Sequence, residues 1–180
     1  MIISRLTETD TSSSIIEASS TLSLYSSRTS GSKSGGRLAD SQDQLVGYWH
    51  EIQGSHLIPA KRDIDMTRLA PLLPHIVLFS VERDPIDFVY KIIGAEVLRN
   101  ISANFTGGRM SEIAGKGRSS RAFTTLSEIA ETRYPRELQV PYVGPNGGHK
   151  FLRAIALPFG DDHATVDRLM LTMDFFIPGE

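Results

Sequence analysis

The stretch His75–Gly94, HIVLFSVERDPIDFVYKIIG, constrains the architecture more than any other part of the chain. IVLFSV is β-branched and aromatic, ERDPID is rich in turn formers, and FVYKII resumes the β pattern, so the stretch is predicted to be a hairpin. Side chains alternate with period two along a strand, which puts Phe88, Tyr90 and Ile92 on one face and Val89, Lys91 and Ile93 on the other. Of these only Lys91 clearly favours water. The first strand is apolar on both faces as well, with Ile76 and Leu78 on one side and Val77, Phe79 and Val81 on the other. A sheet of this kind must be covered on both faces.

The helix that covers one of them is sought upstream. Ser41-Gln-Asp-Gln44 reads as a capping box, after which Leu45, Tyr48, Trp49 and Ile52 fall at i, i+3, i+4 and i+7 on one stripe, with Gly54 as C-cap. A cap helix over 41–54 follows, with Trp49, the chain's single Trp, as a packing anchor. Before it, residues 1–40 hold 12 Ser, 5 Thr and one aromatic, too little apolar mass to offset the entropy of ordering, so a disordered tail is expected. Its acidic residues Glu8, Asp10 and Glu17 argue against a transit peptide, and the apolar patch Leu22–Tyr25 has the form of a docking motif but, in a Ser-rich tail, is expected to carry no function.

Beyond the cap helix, Asp63 or Asp65 can cap a short helix that Pro71 and Pro74 end, in a connector packed by Leu69, Leu72 and Leu73. After Gly94 the pattern becomes helical. Val97, Leu98 and Ile101 form a short stripe, Gly107 and Gly108 interrupt it, and 119–133 carries Phe123, Leu126, Ile129 and Ala130 on one face behind Ser119 or Ser120 as N-cap. RELQVPYV and HKFLRAIALPF are then two strands around an Asn146-Gly147 turn. In RLMLTMDFFI, Leu169, Leu171, Met173 and Phe175 alternate with Met170, Thr172, Asp174 and Phe176, giving a last strand that is apolar on both faces. Helix, two strands, short helices and three strands define an α+β plan in which the last strands join the hairpin in a five-stranded antiparallel sheet.

Composition limits the function classes. Forty per cent hydrophobic and 22% charged residues in 180 suit one packed domain with an appendage, and a net charge of -2 gives no general electrostatic case for nucleic acid or an anionic membrane. There is no Cys, hence no disulfide, thiolate metal site or Cys nucleophile, and no apolar run approaches a membrane span or secretory leader. A cytoplasmic protein is the expectation. His50, His56, His75, His149 and His163 show no metal-ligand spacing, and no metal site is predicted. The stretch from Gly108 to Lys116 has six residues between Gly108 and Gly115 and no preceding parallel strand, so it is no phosphate loop. Lys116, Arg118 and Arg121 still form a basic cluster at a helix start.

The order ββ, short helices, βββ resembles a PAS domain, and the local residues resemble a bacterial single-domain PAS family. They are Trp49 in a leading helix, Pro59, Asp63-Ile-Asp65, Leu72-Leu-Pro74, a strand ending in Gly94, Phe105-Thr-Gly107 and Ala156-Leu-Pro-Phe159. The resemblance runs from Gln44 to Ile177 and implies a domain over 41–180 with short helices on one sheet face and the N-terminal helix on the other. It implies a cytoplasmic sensory or regulatory module that binds a small ligand or a partner signalling protein. It supplies no catalytic residue and names no cofactor. The light-sensing branch captures its chromophore with a Cys, which this chain lacks, and haem-binding members present a His from the long middle helix, which has none here.

Three site expectations follow. A pocket between sheet and middle helices is expected to be lined by Phe88, Tyr90, Ile92, Val97, Leu98, Phe123, Leu126 and Arg153. A homodimer is expected to form through Leu45, Tyr48, Trp49 and Ile52 with the outer sheet face, since one helix presents few residues against five strands. The enzymatic alternative is a small isomerase or hydratase that uses Asp174, placed in an apolar strand, together with Tyr90.

Overall fold

The computed structural model describes residues 36–143 and 149–177. The sequence-predicted tail, its Leu22–Tyr25 patch and the Asn146-Gly147 turn lie outside these, except that residues 36–40 are helical. Helix α1 spans Gly36–Gln53, so it begins five residues before Ser41, and Ser41-Gln-Asp-Gln44 lies within the helix rather than capping it. Arg37, Leu38 and Ala39 are good helix formers, which lets the helix run back through that point. It ends where expected, at Gly54, whose φ of 55° is the left-handed conformation that glycine adopts without strain.

A connector follows, with short 3-10 turns at Lys61–Asp63 and Leu73–His75 and helix α2 at Met66–Leu69. Asp65 is its N-cap and accepts a hydrogen bond from Thr67 N, whereas Asp63 accepts one from Ala60 N. Strands β1 (Ile76–Glu82) and β2 (Asp87–Ile93) form the hairpin, followed by α3 (Ala95–Asn100), a 3-10 turn at Met110–Glu112 and α4 (Arg121–Thr132). Ser120 caps α4, whose buried face is Phe123, Leu126, Ile129 and Ala130, as its periodicity indicates. Strands β3 (Arg136–Val143), β4 (His149–Phe159) and β5 (Arg168–Phe176) complete one antiparallel sheet in the order β2-β1-β5-β4-β3.

The sheet has a core on each side. On its outer face Ile76, Ile155, Leu157, Met170 and Thr172 are buried, and α1 lies against β4 there. Trp49 Nε1 donates to Pro158 O at 2.8 Å, and Gln42 Nε2 donates to Arg153 O at 3.4 Å. Leu45, Tyr48 and Trp49 are 0%, 6% and 2% exposed, and Ile52 is half-buried. This corrects the expected dimer contact. The stripe is occupied by the chain's own sheet, because one aromatic side chain inserted against β4 covers more area than a count of helix residues suggests.

The hairpin departs from strict alternation. Val77 pairs with Ile93 and Leu78 with Ile92, but Phe79 pairs with Tyr90, so Lys91 is an extra residue in β2. Phe88 and Tyr90 therefore share a face with Ile93, while Ile92 turns to the other side and is 40% exposed. The free edge of β2 is covered at this point: Gly107 N donates to Tyr90 O at 2.8 Å, and Tyr90 N donates to Gly108 O at 3.1 Å. Gly94 closes the strand because the backbone of the preceding turn passes against it. A Cβ there would stand 2.2 Å from Pro74 O and 2.4 Å from Leu73 O.

Candidate ligand cavity

The inner face of the sheet and the middle helices do not meet completely, leaving a cavity of about 250 Å³. Its floor includes Val77 and Phe79 of β1, Tyr90 and Ile93 of β2, Ala154 of β4, and Leu171, Met173 and Phe175 of β5. Its roof includes Val97, Ile101, Phe105, Met110 and Leu126. The cavity opens to solvent beside Gly115 and Arg121, which are exposed.

Buried polar contacts hold the walls. Asp87, 2% exposed, accepts hydrogen bonds at Oδ1 from Phe88 N at 2.8 Å and Ser111 N at 3.2 Å, and at Oδ2 from Ser111 Oγ; Arg118 Nη2 stands 3.7 Å away. Burial pushes its carboxyl pKa up, but Ser111, Phe88 and Arg118 outweigh that and hold it below the ordinary value. The carboxylate thus ties the end of β2 to the turn that carries Met110. Tyr142 donates to Asn100 O, and Lys150 Nζ donates to Asn100 Oδ1 at 2.9 Å, which fixes the end of α3 over β3 and β4.

Inside the cavity the polar groups are few. Tyr90 is 6% exposed and lies tilted against Phe79 and Phe105, with ring centres 4.4 and 5.8 Å away, and its hydroxyl has no hydrogen-bond partner among the described residues. Burial pushes its pKa up to about 12, so it is a neutral donor. Lys116 lines the cavity, with Nζ 5.7 Å from the centre of the Phe105 ring and no carboxylate within ion-pair distance among the described residues. Burial pushes the pKa of its ammonium down. Ser120 and Arg121, at the N-terminus of α4, share that wall.

Of the residues expected to line a pocket, Tyr90, Val97 and Leu126 do so. Phe88 and Phe123 pack edge to face on each other, with ring centres 5.0 Å apart, beside the cavity rather than on its wall, and Leu98 is half-buried outside it. Ile92 is moved off the inner face by the extra residue Lys91, and Ile93 takes its place. Arg153 is also corrected: it lies on the outer face opposite Asp174, with Nε 3.6 Å from Glu137 Oε1. The basic cluster divides, since Lys116 and Arg121 line the cavity while Arg118 donates to Ile86 O at 2.6 Å and approaches Asp87.

Asp174 is 2% exposed but projects from the face opposite Tyr90, so the two do not form one acid and base pair, and the isomerase or hydratase arrangement fails. Its neighbour is His75, whose Nδ1 stands 3.1 Å from Asp174 Oδ1. Burial pushes the Asp174 pKa up, partly countered by His75 and Arg153. No spacing in the sequence links positions 75 and 174, which become neighbours only when β1 pairs with β5. Among the described residues there is no cluster of three or more His, Asp or Glu able to hold a metal, and no helix long and apolar enough to cross a membrane.

Comparison with known families gives a match to the PAS domain over residues 37–173. Among solved structures, the Rhodobacter sphaeroides LOV protein is similar with a TM-score of 0.46 and 9% identity, covering 64% of this chain and 70% of that one. A PAS domain of a protein from Colwellia psychrerythraea gives a TM-score of 0.42 and 11% identity, covering 64% of this chain and 98% of that one. No curated protein matches the sequence.

Proposed function

The chain belongs to the PAS domain family, and on that premise we propose that it is a sensory or regulatory module that acts by binding a small ligand in the cavity between sheet and middle helices. The observation that carries this reading is the cavity of about 250 Å³ with apolar walls and a few polar groups, the usual make-up of a ligand site. An engineered cavity of about 150 Å³ holds benzene, and by that proportion this one suits a ligand of about ten non-hydrogen atoms. The output passes to a partner signalling protein, whose affinity changes with occupancy of the cavity. Catalysis is not part of the proposal, because Asp174 and Tyr90 are on opposite faces of the sheet.

Native mass spectrometry of the purified 180-residue chain, with an absorption spectrum, tests the reading. The expected result is a bound small mass, or an increase in melting temperature with small apolar compounds that is lost in Ala154→Phe, which fills the cavity. No bound mass and no melting shift with any compound would overturn it in favour of a module that binds only a protein partner.

A further inference from the structure

Two polar side chains of a largely apolar cavity flank the Phe105 ring. Lys116 places its ammonium 5.7 Å from the ring centre, half-buried and without a carboxylate partner among the described residues. Tyr90, tilted against the same ring with centres 5.8 Å apart, is 6% exposed, and its hydroxyl has no hydrogen-bond partner among the described residues. A partly desolvated cation without a counter-charge is costly, and a phenol hydroxyl with no protein acceptor is free to donate to a ligand. One anionic group bound beside Phe105 would engage both. The first turn of α4 borders the same wall through Ser120, Arg121 and Ala122, and the amides of a helix start lack intrahelical partners and favour negative charge.

We infer that the ligand is a monocarboxylate with an apolar body of about ten non-hydrogen atoms in all, its carboxylate paired with Lys116 and hydrogen-bonded by the Tyr90 hydroxyl. This rests on the cavity reading above and names the chemical class that the cavity selects. The remaining walls, Val77, Phe79, Leu171 and Met173 among them, offer hydrocarbon to the body of the ligand. A phosphate ester fits less well. Its dianion needs several donors around three oxygens, whereas the cavity offers one half-buried ammonium, one phenol and the exposed Arg121.

The test is calorimetric titration of the full chain at neutral pH and low salt with octanoate and with 1-octanol, which share a body and differ in charge. Octanoate is expected to bind about tenfold tighter or more, the usual size of a charge-assisted hydrogen bond. Lys116→Met should remove that preference and leave 1-octanol binding unchanged, Lys116→Arg should retain it, and Tyr90→Phe should weaken octanoate alone by several-fold. Circular dichroism melts establish that each variant is folded, and the Tyr90→Phe comparison stands if Lys116→Met is not. Equal binding of acid and alcohol, or a preference that survives Lys116→Met, would overturn the carboxylate assignment while leaving the cavity reading intact. Binding of neither compound would overturn the carboxylate assignment, and the cavity reading falls with it only if native mass spectrometry also finds no bound mass and no compound shifts the melting temperature.

Discussion

Replacing Trp49 by Phe tests the packing of α1 on the sheet. Trp49 is 2% exposed, and its indole N–H donates to Pro158 O at 2.8 Å in a buried contact. Phe keeps an aromatic ring but removes the donor, so a buried carbonyl loses its partner at a cost of about 1–3 kcal/mol. The lost ring volume adds about 1 kcal/mol, because a close-packed site relaxes only in part. The sum is about 3 kcal/mol. For a chain of this size about 2–4 °C of melting temperature is lost per kcal/mol, so a fall of about 6–12 °C is expected. Far-ultraviolet circular dichroism is the suitable assay, since the substitution removes the only Trp and with it the intrinsic indole fluorescence. A fall of less than about 2 °C would refute the reasoning, because it would mean that α1 is not held through this indole.

Three further substitutions address other parts of the account. Gly94→Ala drives a Cβ to 2.2 Å from Pro74 O, where only backbone can give way, so urea unfolding should show a loss of about 3 kcal/mol; a loss under about 1 kcal/mol would mean the turn yields freely. Asp87→Ala leaves the amides of Phe88 and Ser111 and the Ser111 hydroxyl without their acceptor, for an expected loss of about 3 kcal/mol in the same assay, and an unchanged midpoint would contradict the clamp between β2 and the Met110–Glu112 turn. Asp162 is held down to about 2 from 3.8 by the backbone N–H groups of Thr165 and Ala164, at 2.6 and 2.9 Å. A carboxyl with a depressed folded-state pKa contributes stability above its unfolded value that is lost as pH falls through the folded one. Asp162→Asn should therefore flatten the melting temperature profile between about pH 4 and pH 2, and an unaltered slope would remove this group from the acid transition.

Much of the fold was legible because the apolar periods are unambiguous. The hairpin at Ile76–Ile93, the buried face of α4 and the alternation along β5 all follow from residue spacing. The cavity wall was less legible. Lys91-Ile92-Ile93 carries no residue type that marks an extra position, yet that one residue exchanges Ile92 for Ile93 on the inner face. Arg153 and Asp174 were correctly placed on apolar strands, but period two says only that they alternate with their neighbours, not which face receives which helices. In the sequence Lys116 belongs to a basic cluster at a helix start. Its burial beside Phe105 depends on how the loop folds over the sheet, and no local pattern encodes that. The start of α1 is not legible at Ser41 because Ser and Asp are tolerated within a helix as well as favoured at its end.

The central claim is that the space between sheet and helices is a ligand site selective for a small carboxylate. A crystal structure of the full chain soaked with octanoate measures this most directly. The account predicts density for the chain of the acid among Phe79, Leu171 and Met173, with its carboxylate within hydrogen-bond distance of Lys116 Nζ and the Tyr90 hydroxyl. A cavity closed by side-chain collapse, or an acid bound elsewhere with Lys116 turned to solvent, would contradict it.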